Sequence, residues 1–410
     1  MRESKKIYVV GGGPAGMMAA AQCALKGYDT VLLEQNEKLG KKLFITGKGR
    51  CNVTNACDME DFFENIAHNA RFCYSALYAF PPDQTRELIE QQGIPLKVER
   101  GSRVFPQSDK SSDIIKALER YVRASGVQIL LNTRLEAILT AENRVTGVRY
   151  HGTAHPCDGV ILALGGASYP STGSRGAWVG ELEKLGHTVE PLRPALVPLE
   201  SKEPWIRELQ GLSLKNVTLS AHDGRRVIYE ELGELLFTHF GLSGPLVLTL
   251  SSKLQKPDFS KLTLSLDLKP GLTPEQLDAR LLRELSGAGA KALKTVCLTL
   301  LPARLVPPVL EHAGISGEKQ ASQVTQEERQ RLARTLKALP MTVSGFRPME
   351  EAIITRGGIS TKEIDPSTMA SKLVSGLSFA GEMVDIDGFT GGFNIQLALS
   401  TGYLAGSSIE

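Results

Sequence analysis

Ile7-Tyr8-Val9-Val10-Gly11-Gly12-Gly13-Pro14-Ala15-Gly16 is an apolar strand running into a glycine-rich turn. A helical run of small residues follows, and then a second strand, Asp29-Thr30-Val31-Leu32-Leu33, ends on Glu34. A bare G-x-G-x-x-G means little, but strand, turn, helix, strand and terminal acid together make a dinucleotide-binding βαβ unit. Gly11 permits the tight turn, Gly13 lets the backbone approach a pyrophosphate, and Gly16 lets the helix pack closely on the strands. Pro14 and Ala15 start the helix, whose free amides and positive dipole favour phosphate. Glu34 is placed to accept both ribose hydroxyls of an adenosine. The same carboxylate would repel a 2′-phosphate, which argues against NADP at this position.

The chain has 410 residues, enough for two or three domains, with 42% apolar and 22% charged residues, an ordinary soluble composition. A net charge of +2 gives no overall argument for nucleic acid. The basic residues are uneven, however: Lys38, Lys41, Lys42, Lys48 and Arg50 follow the βαβ unit closely, with Arg71, Arg100, Arg103 and Lys110 beyond. Such a cluster is a solvated face or a phosphate contact. The six cysteines, Cys23, Cys51, Cys57, Cys73, Cys157 and Cys297, contain no C-x-x-C pair. They indicate a reducing compartment and no metal knuckle. Near the N-terminus a basic and then apolar stretch imitates a signal peptide, but the glycines and proline interrupt it. No stretch elsewhere reads as a membrane span, so a cytoplasmic protein is expected.

Between 128 and 165 the pattern is strand-like. Gln128–Leu131, Leu135–Ile138 and Arg144–Tyr150 precede the apolar run Cys157–Ala163 and the pair Gly165-Gly166. A three-stranded meander followed by an apolar strand commonly completes an FAD-binding Rossmann domain and brings its glycines beside the cofactor. From about 191 to 272 the period is close to two, as in Leu262-Thr263-Leu264-Ser265-Leu266, which predicts a β-barrel-like domain. From 273 to 344 it becomes helical, with Thr273-Pro274-Glu275 as a start and Leu277, Leu281, Leu282 and Leu285 on one face. Residues 1–190 and 345–410 are thus expected to form one α/β FAD-binding domain, interrupted by a barrel and a helical subdomain.

The chain returns to α/β character at Lys372–Ala380, a strand leading into Gly381-Glu382. Asp385 and Asp387 follow, then Gly391-Gly392-Phe393-Asn394-Ile395-Gln396 opens a terminal helix through Gly402. A second glycine-paired helix N-terminus suits the pyrimidine edge of an isoalloxazine, which gains negative charge on reduction. The preceding acids suit ribityl hydroxyls. Together the two elements favour FAD over NAD, and no residue is marked for covalent attachment. No second G-x-G-x-x-G occurs mid-chain, so NAD(P)H is expected to visit the flavin only transiently, as a reductant.

Lys38 to Asn55 is dense in glycine, cations and small polar residues and begins just after the ribose acid. It is expected to follow the pyrophosphate and present Arg50, Cys51, Asn52 and Thr54 near the ring. Cys51 is either a nucleophile activated by Arg50 and the lysines or a small residue packed on the flavin.

Thr46-Gly47-Lys48-Gly49-Arg50-Cys51-Asn52-Val53-Thr54-Asn55, Gly165-Gly166-Ala167-Ser168-Tyr169-Pro170 and Phe237-Thr238-His239-Phe240-Gly241-Leu242-Ser243-Gly244-Pro245 accompany the two glycine elements. With them, nearly the whole chain resembles the BaiN/RdsA family of NAD(P)/FAD-dependent oxidoreductases, also called aminoacetone-oxidase-family FAD-binding enzymes. The resemblance implies a two-dinucleotide-type FAD domain interrupted by a β-barrel and a helical insertion. Beside the fingerprint and Glu34, the expected cofactor set is Lys42, Gly49, Arg50, Cys51, Asn52, Leu135, Ala163, Gly165, Gly381, Glu382, Asp387, Gly392, Asn394 and Ile395. The chain departs from many relatives after Thr172-Gly173-Ser174, where Arg175-Gly176-Ala177-Trp178-Val179 replaces a Thr-Gly-Asp-Gly-Tyr stretch.

Family members are associated with three reactions: reduction of a uridine in large-subunit ribosomal RNA, reduction of a C=C bond in 3-oxo bile-acid intermediates, and oxidation of aminoacetone. The first two share hydride transfer from flavin N5 to an enone-like carbon, with protonation of its neighbour. Cys51, Tyr169 and His239 are the candidate acids. Ribosomal RNA is the leading expected substrate, and a small-molecule enone or an amine is the alternative. A flavin-stabilised RNA-binding factor is the non-enzymatic alternative. The sequence leaves the oligomeric state open.

Overall fold

The computed structural model describes residues 4–254 and 257–410. Two compact units are present: Met1–Ala195 with Pro348–Glu410, and Leu196–Arg347.

In the first unit, β1 (Lys6–Val10), α1 (Pro14–Leu25) and β2 (Asp29–Leu33) form the expected βαβ unit. They belong to a five-stranded parallel sheet with β3 (Gln128–Leu130), β4 (Gly159–Leu162) and β5 (Leu377–Phe379), in the order β5-β4-β1-β2-β3. This is the open parallel sheet of a Rossmann-type fold. Its central strands are buried on both faces, with Ile7, Val9, Leu32, Val160 and Ile161 inaccessible, which is why they read as unbroken apolar runs. Gln128–Leu130 is an edge strand of this sheet rather than part of the meander. The antiparallel meander is Ala137–Ala141, Arg144–Tyr150 and Thr153–Pro156. Its third strand has only four residues, none of them buried, so no apolar alternation announced it.

α1 packs on α2, the terminal helix Phe393–Ser408. A methyl group at Gly402 would lie 2.2 Å from the Ala15 carbonyl oxygen, and one at Gly406 would lie 2.3 Å from that of Ala19. These glycines are therefore contact points between helices. The helix continues past Gly402, where the sequence pattern had placed its end.

In the second unit, Leu339–Thr342, Leu262–Asp267, Ser213–Asp223, Arg226–Thr238, Gly241–Ser243, Leu199–Glu200 and Gly345–Phe346 form a seven-stranded antiparallel sheet in that order. The segments expected as barrel-like and helical share one hydrophobic core, which joins Leu219, Leu235 and Leu264 to Leu277, Val309 and Leu332. Pro274–Ala288 begins at a reciprocal cap between Thr273 and Gln276. It buries Leu277, Leu281 and Leu285 but leaves Leu282 48% exposed, so Leu282 is off the expected face. Among the described residues, no helix is long and apolar enough to cross a membrane, and no group of three acidic, His or Cys side chains could hold a metal ion.

Candidate active site

The dinucleotide turn is shaped by backbone crowding. Gly11 has φ +108°, and a methyl group there would sit 2.3 Å from the Ala163 carbonyl oxygen. At Gly16 it would sit 1.8 Å from the Gly11 oxygen. At Gly12, which the sequence reading left without a role, an added methyl group would lie 2.5 Å from the Leu39 side chain and 2.8 Å from Glu34 Oε2. Gly13 differs: a methyl group there would meet nothing within 4 Å. It begins α1, whose first turn has no side-chain cap. Open space before free helix amides fits the pyrophosphate of FAD.

Glu34 is buried at the end of β2, and its carboxylate is more occupied than expected. Oε2 accepts the Gly12 N–H at 2.6 Å, while Oε1 accepts Asn36 N–H at 2.8 Å and Asn36 Nδ2 at 2.7 Å. A carboxylate has about four acceptor positions, so room remains for one ribose hydroxyl rather than two. Leu135 is partly buried against the same core. Ala163 donates its N–H to Val10 O at 2.8 Å.

Lys42 and Glu382, proposed separately from sequence, meet each other. Lys42 Nζ lies 2.6 Å from Glu382 Oε2 and donates to Ser168 Oγ at 2.7 Å. Glu382 Oε1 also accepts the Thr355 N–H at 2.8 Å, and Thr355 Oγ1 accepts the Ala167 N–H at 2.7 Å. This network ties the basic loop to the turns after β4 and β5. Gly165 (φ +70°) follows β4, and its carbonyl accepts Trp178 Nε1–H at 3.0 Å. The tryptophan in the departing segment therefore packs beneath this turn, 8% exposed.

Arg50 corrects the sequence reading. Its guanidinium pairs with Glu99 at 2.5 Å and Asp109 at 2.6 Å and stacks over the Phe105 ring. It is engaged by two carboxylates, with no charge directed at Cys51. Cys51 is inaccessible, and burial pushes its thiol up to about 12. Its burial and the diversion of the Arg50 charge remove the basis for an activated nucleophile there. Asn52 Oδ1 accepts the Val104 N–H at 3.1 Å, and Gly49 occupies a left-handed turn with φ +83°.

At the other glycine element, Gly381 (φ +74°) packs on Ala15, and Gly392 (φ +98°) crowds the Thr54 carbonyl. Thr54 Oγ1 bonds Gln396 Oε1 at 2.6 Å, and Asn55 Nδ2 donates to Gly391 O at 3.0 Å. The loop before α2 is closed by Asn394, which accepts the Gly388 N–H at 2.8 Å and donates to Gly388 O at 2.7 Å. Ile395 beside it is partly buried. Asp387, expected to hold ribityl hydroxyls, is instead 1% exposed and forked by Arg356 at 2.6 and 2.8 Å. The structure thus brings the first glycine turn, Lys42, Gly165, Glu382 and the second glycine element into one unit.

Of the remaining candidate acids, Tyr169 adopts φ +53° on the turn after β4. Its hydroxyl is pushed up by burial and then by Glu351, which leaves it a weaker acid. His239 lies in the second unit, exposed on the turn between Thr238 and Gly241. One titratable pair went unnoticed in the sequence: His68 Nε2 lies 3.1 Å from Asp385 Oδ2. Asn69, left-handed at φ +53°, donates to the Asp385 carbonyl at 2.7 Å and to its carboxylate at 3.1 Å. His68 carries no local motif, and only Asp385 had been singled out.

A family model described as HI0933-like protein Rossmann domain matches residues 5–408. A 3-dehydro-bile acid delta(4,6)-reductase from Clostridium scindens is 32% identical over 407 residues, 98% of each chain. Ribosomal RNA dihydrouridine synthases from Haemophilus influenzae and Escherichia coli are each 30% identical, covering 100% and 96% of this chain and 100% and 95% of theirs. Among solved structures, a 3-ketosteroid-delta4-(5alpha)-dehydrogenase from Rhodococcus jostii, in complex with 4-androstene-3,17-dione, aligns over 100% of this chain and 98% of its own. Its TM-score is 0.51 at 15% identity, a likeness of fold. The chain belongs to the HI0933-like Rossmann family, which is the BaiN/RdsA family of the sequence resemblance, and is an FAD-dependent oxidoreductase.

Proposed function

We propose that this enzyme reduces a carbon–carbon double bond, with a uridine of large-subunit ribosomal RNA as its substrate and dihydrouridine as the product. When bound, FAD supplies the hydride donor, and NAD(P)H is its proposed reductant. The residues proposed to hold it are the amides from Gly11 to Gly16, Glu34 at the ribose, and the amides opening α2 at the pyrimidine edge. The Lys42–Glu382–Thr355 network fixes the loops between these ends. Its two charges satisfy each other, so it positions backbone rather than delivering charge.

The observation that favours RNA is the surface beside Lys42. Phe44 is 48% exposed and Ile45 41% exposed, and the Lys38 ammonium lies 5.4 Å from the Phe44 ring centre. Ser111 Oγ donates to the Phe44 carbonyl at 2.6 Å, and Lys110 is the residue before it in the chain. Lys48 and Lys110 are exposed and have no side-chain partner among the described residues. An aromatic edge with solvated cations suits an unstacked base and its phosphates. Two relatives carry the dihydrouridine synthase name at 30% identity over nearly their full length. A cytoplasmic setting, expected from the cysteines, suits that substrate.

The bile-acid reductase relative supports a second reading, in which a small enone takes the same hydride. Anaerobic dithionite-reduced holoenzyme mixed with unmodified large-subunit ribosomal RNA tests between them. Flavin reoxidation with formation of dihydrouridine, detected by mass spectrometry of the digested RNA, supports the first reading. Reoxidation by a 3-oxo-Δ4 steroid but not by RNA supports the second.

A further inference from the structure

We propose that His68, held by Asp385, donates the proton to the substrate carbon next to the one that receives hydride. This rests on the double-bond reductase reading. His68 ends the short strand Ile66–His68, which pairs antiparallel with Asp387–Gly388. Gly388 is bonded through both its N–H and its C=O to Asn394, in the first turn of α2. The imidazole is thereby built onto the loop that opens the second glycine element. A buried carboxylate behind a half-open imidazole is an arrangement suited to acid–base work. The Asp385 side chain is 8% exposed and fixed by Asn69 through its carbonyl and carboxylate, while that of His68 is 39% exposed. Nε2 faces Asp385, leaving Nδ1 as the atom free to pass its proton outward.

The pair is independent of the three acids suggested by sequence, of which Cys51 is sealed and Tyr169 made less acidic. The groups that act on His68 are Asp385 through the hydrogen bond and at a distance, Asp387 at a distance, and Arg356 in opposition. The two carboxylates raise its pKa and prevail over burial and the guanidinium, so the proton stays on the ring closer to neutral pH. In the step, hydride from reduced FAD forms one C–H bond as the π bond breaks. The Nδ1–H bond breaks as the second C–H bond forms. The substrate gains two hydrogens, the flavin is oxidised by two electrons, and the neutral imidazole recovers its proton from water.

Stopped-flow reoxidation of dithionite-reduced holoenzyme by unmodified large-subunit ribosomal RNA, and separately by a 3-oxo-Δ4 steroid, tests the proposal from pH 5.5 to 9. His68→Gln is expected to keep its FAD and its reduction by dithionite, yet slow reoxidation about 100-fold or more. Wild type is expected to show an alkaline decline in this rate, and the decline should vanish in His68→Gln. In His68→Ala, added imidazole should restore part of the rate. Asp385→Asn should move the alkaline decline to lower pH; if His68→Gln fails to retain FAD, this variant decides, and an unmoved decline overturns the proposal. His68→Gln reoxidising within threefold of wild type with its alkaline decline intact overturns the role of His68 alone. Wild-type enzyme inert to both substrates overturns the reductase reading and the proposal with it.

Discussion

The two glycine-opened helices begin alike and are built differently. Neither α1 nor α2 has a side-chain cap. At α1, the space is set by backbone meeting backbone: Gly11 against Ala163, and Gly16 against Gly11. At α2, Gly392 also crowds the backbone of Thr54, but the loop is held by side chains, through Thr54–Gln396, Asn55–Gly391, Asn394–Gly388 and Arg356–Asp387. The first is a cradle encoded in local spacing. The second is a junction assembled from remote parts of the chain, and its polar groups mostly serve one another.

That difference is broken most severely by leaving a buried charge alone. Arg356→Ala strands Asp387, which is 1% exposed, and should cost about 3–5 kcal/mol in denaturant unfolding. The double variant Arg356→Met/Asp387→Asn should recover much of that loss, because no bare charge remains. At α1 the matching break is steric. Gly16→Ala places a methyl group 1.8 Å from the Gly11 oxygen, and backbone on both sides cannot yield. It should cost about 3 kcal/mol, seen as a lower unfolding midpoint and as purified protein depleted of yellow cofactor.

Gly13→Ala sharpens the comparison, because nothing in the protein lies within 4 Å of the added methyl group and φ is −79°. Stability of the cofactor-free protein should change by less than about 1 kcal/mol. FAD affinity should nevertheless fall at least about tenfold, equivalent to about 1.4 kcal/mol, measured by flavin fluorescence titration. Equal FAD affinity in the variant would move the pyrophosphate away from this turn.

The contrast also explains what was legible beforehand. Gly11, Gly13, Gly16 and Glu34 stand out in the sequence because they keep a fixed spacing within one βαβ unit, even though the group that crowds Gly11 is the distant Ala163. Lys42–Glu382 and His68–Asp385 are separated by 340 and 317 positions, and no local spacing says which opposite charge a side chain will meet. Arg50 shows the cost of reasoning from neighbours alone. It adjoins Cys51 in sequence, yet its charge goes to Glu99 and Asp109. Leu282 shows the limit of periodicity: it lies about 100° round the helix from Leu281, and Leu281 is the one buried with Leu277 and Leu285. Trp178 was visible as a departure, but its bond to the Gly165 carbonyl depended on a fold-back of 13 residues.

The smallest expected effect is a pH dependence at the second junction. The Asp385 hydrogen bond holds the pKa of His68 above its ordinary 6.5, so the folded protein binds that proton more tightly than the unfolded chain. The resulting stabilisation is fully present below about pH 6.5 and is lost as pH rises through the folded-state value. The imidazole is 39% exposed, so solvent screening should keep the effect under about 1 kcal/mol. His187 works in the opposite sense, because burial lowers its pKa and penalises the folded state in acid. Comparing wild type with His68→Asn cancels that contribution, since His187 is common to both. The difference in unfolding free energy should be largest near pH 5.5 and shrink steadily towards pH 8.5. A constant gap across that range would mean that Asp385 holds His68 as a neutral hydrogen-bond partner, without an ion pair.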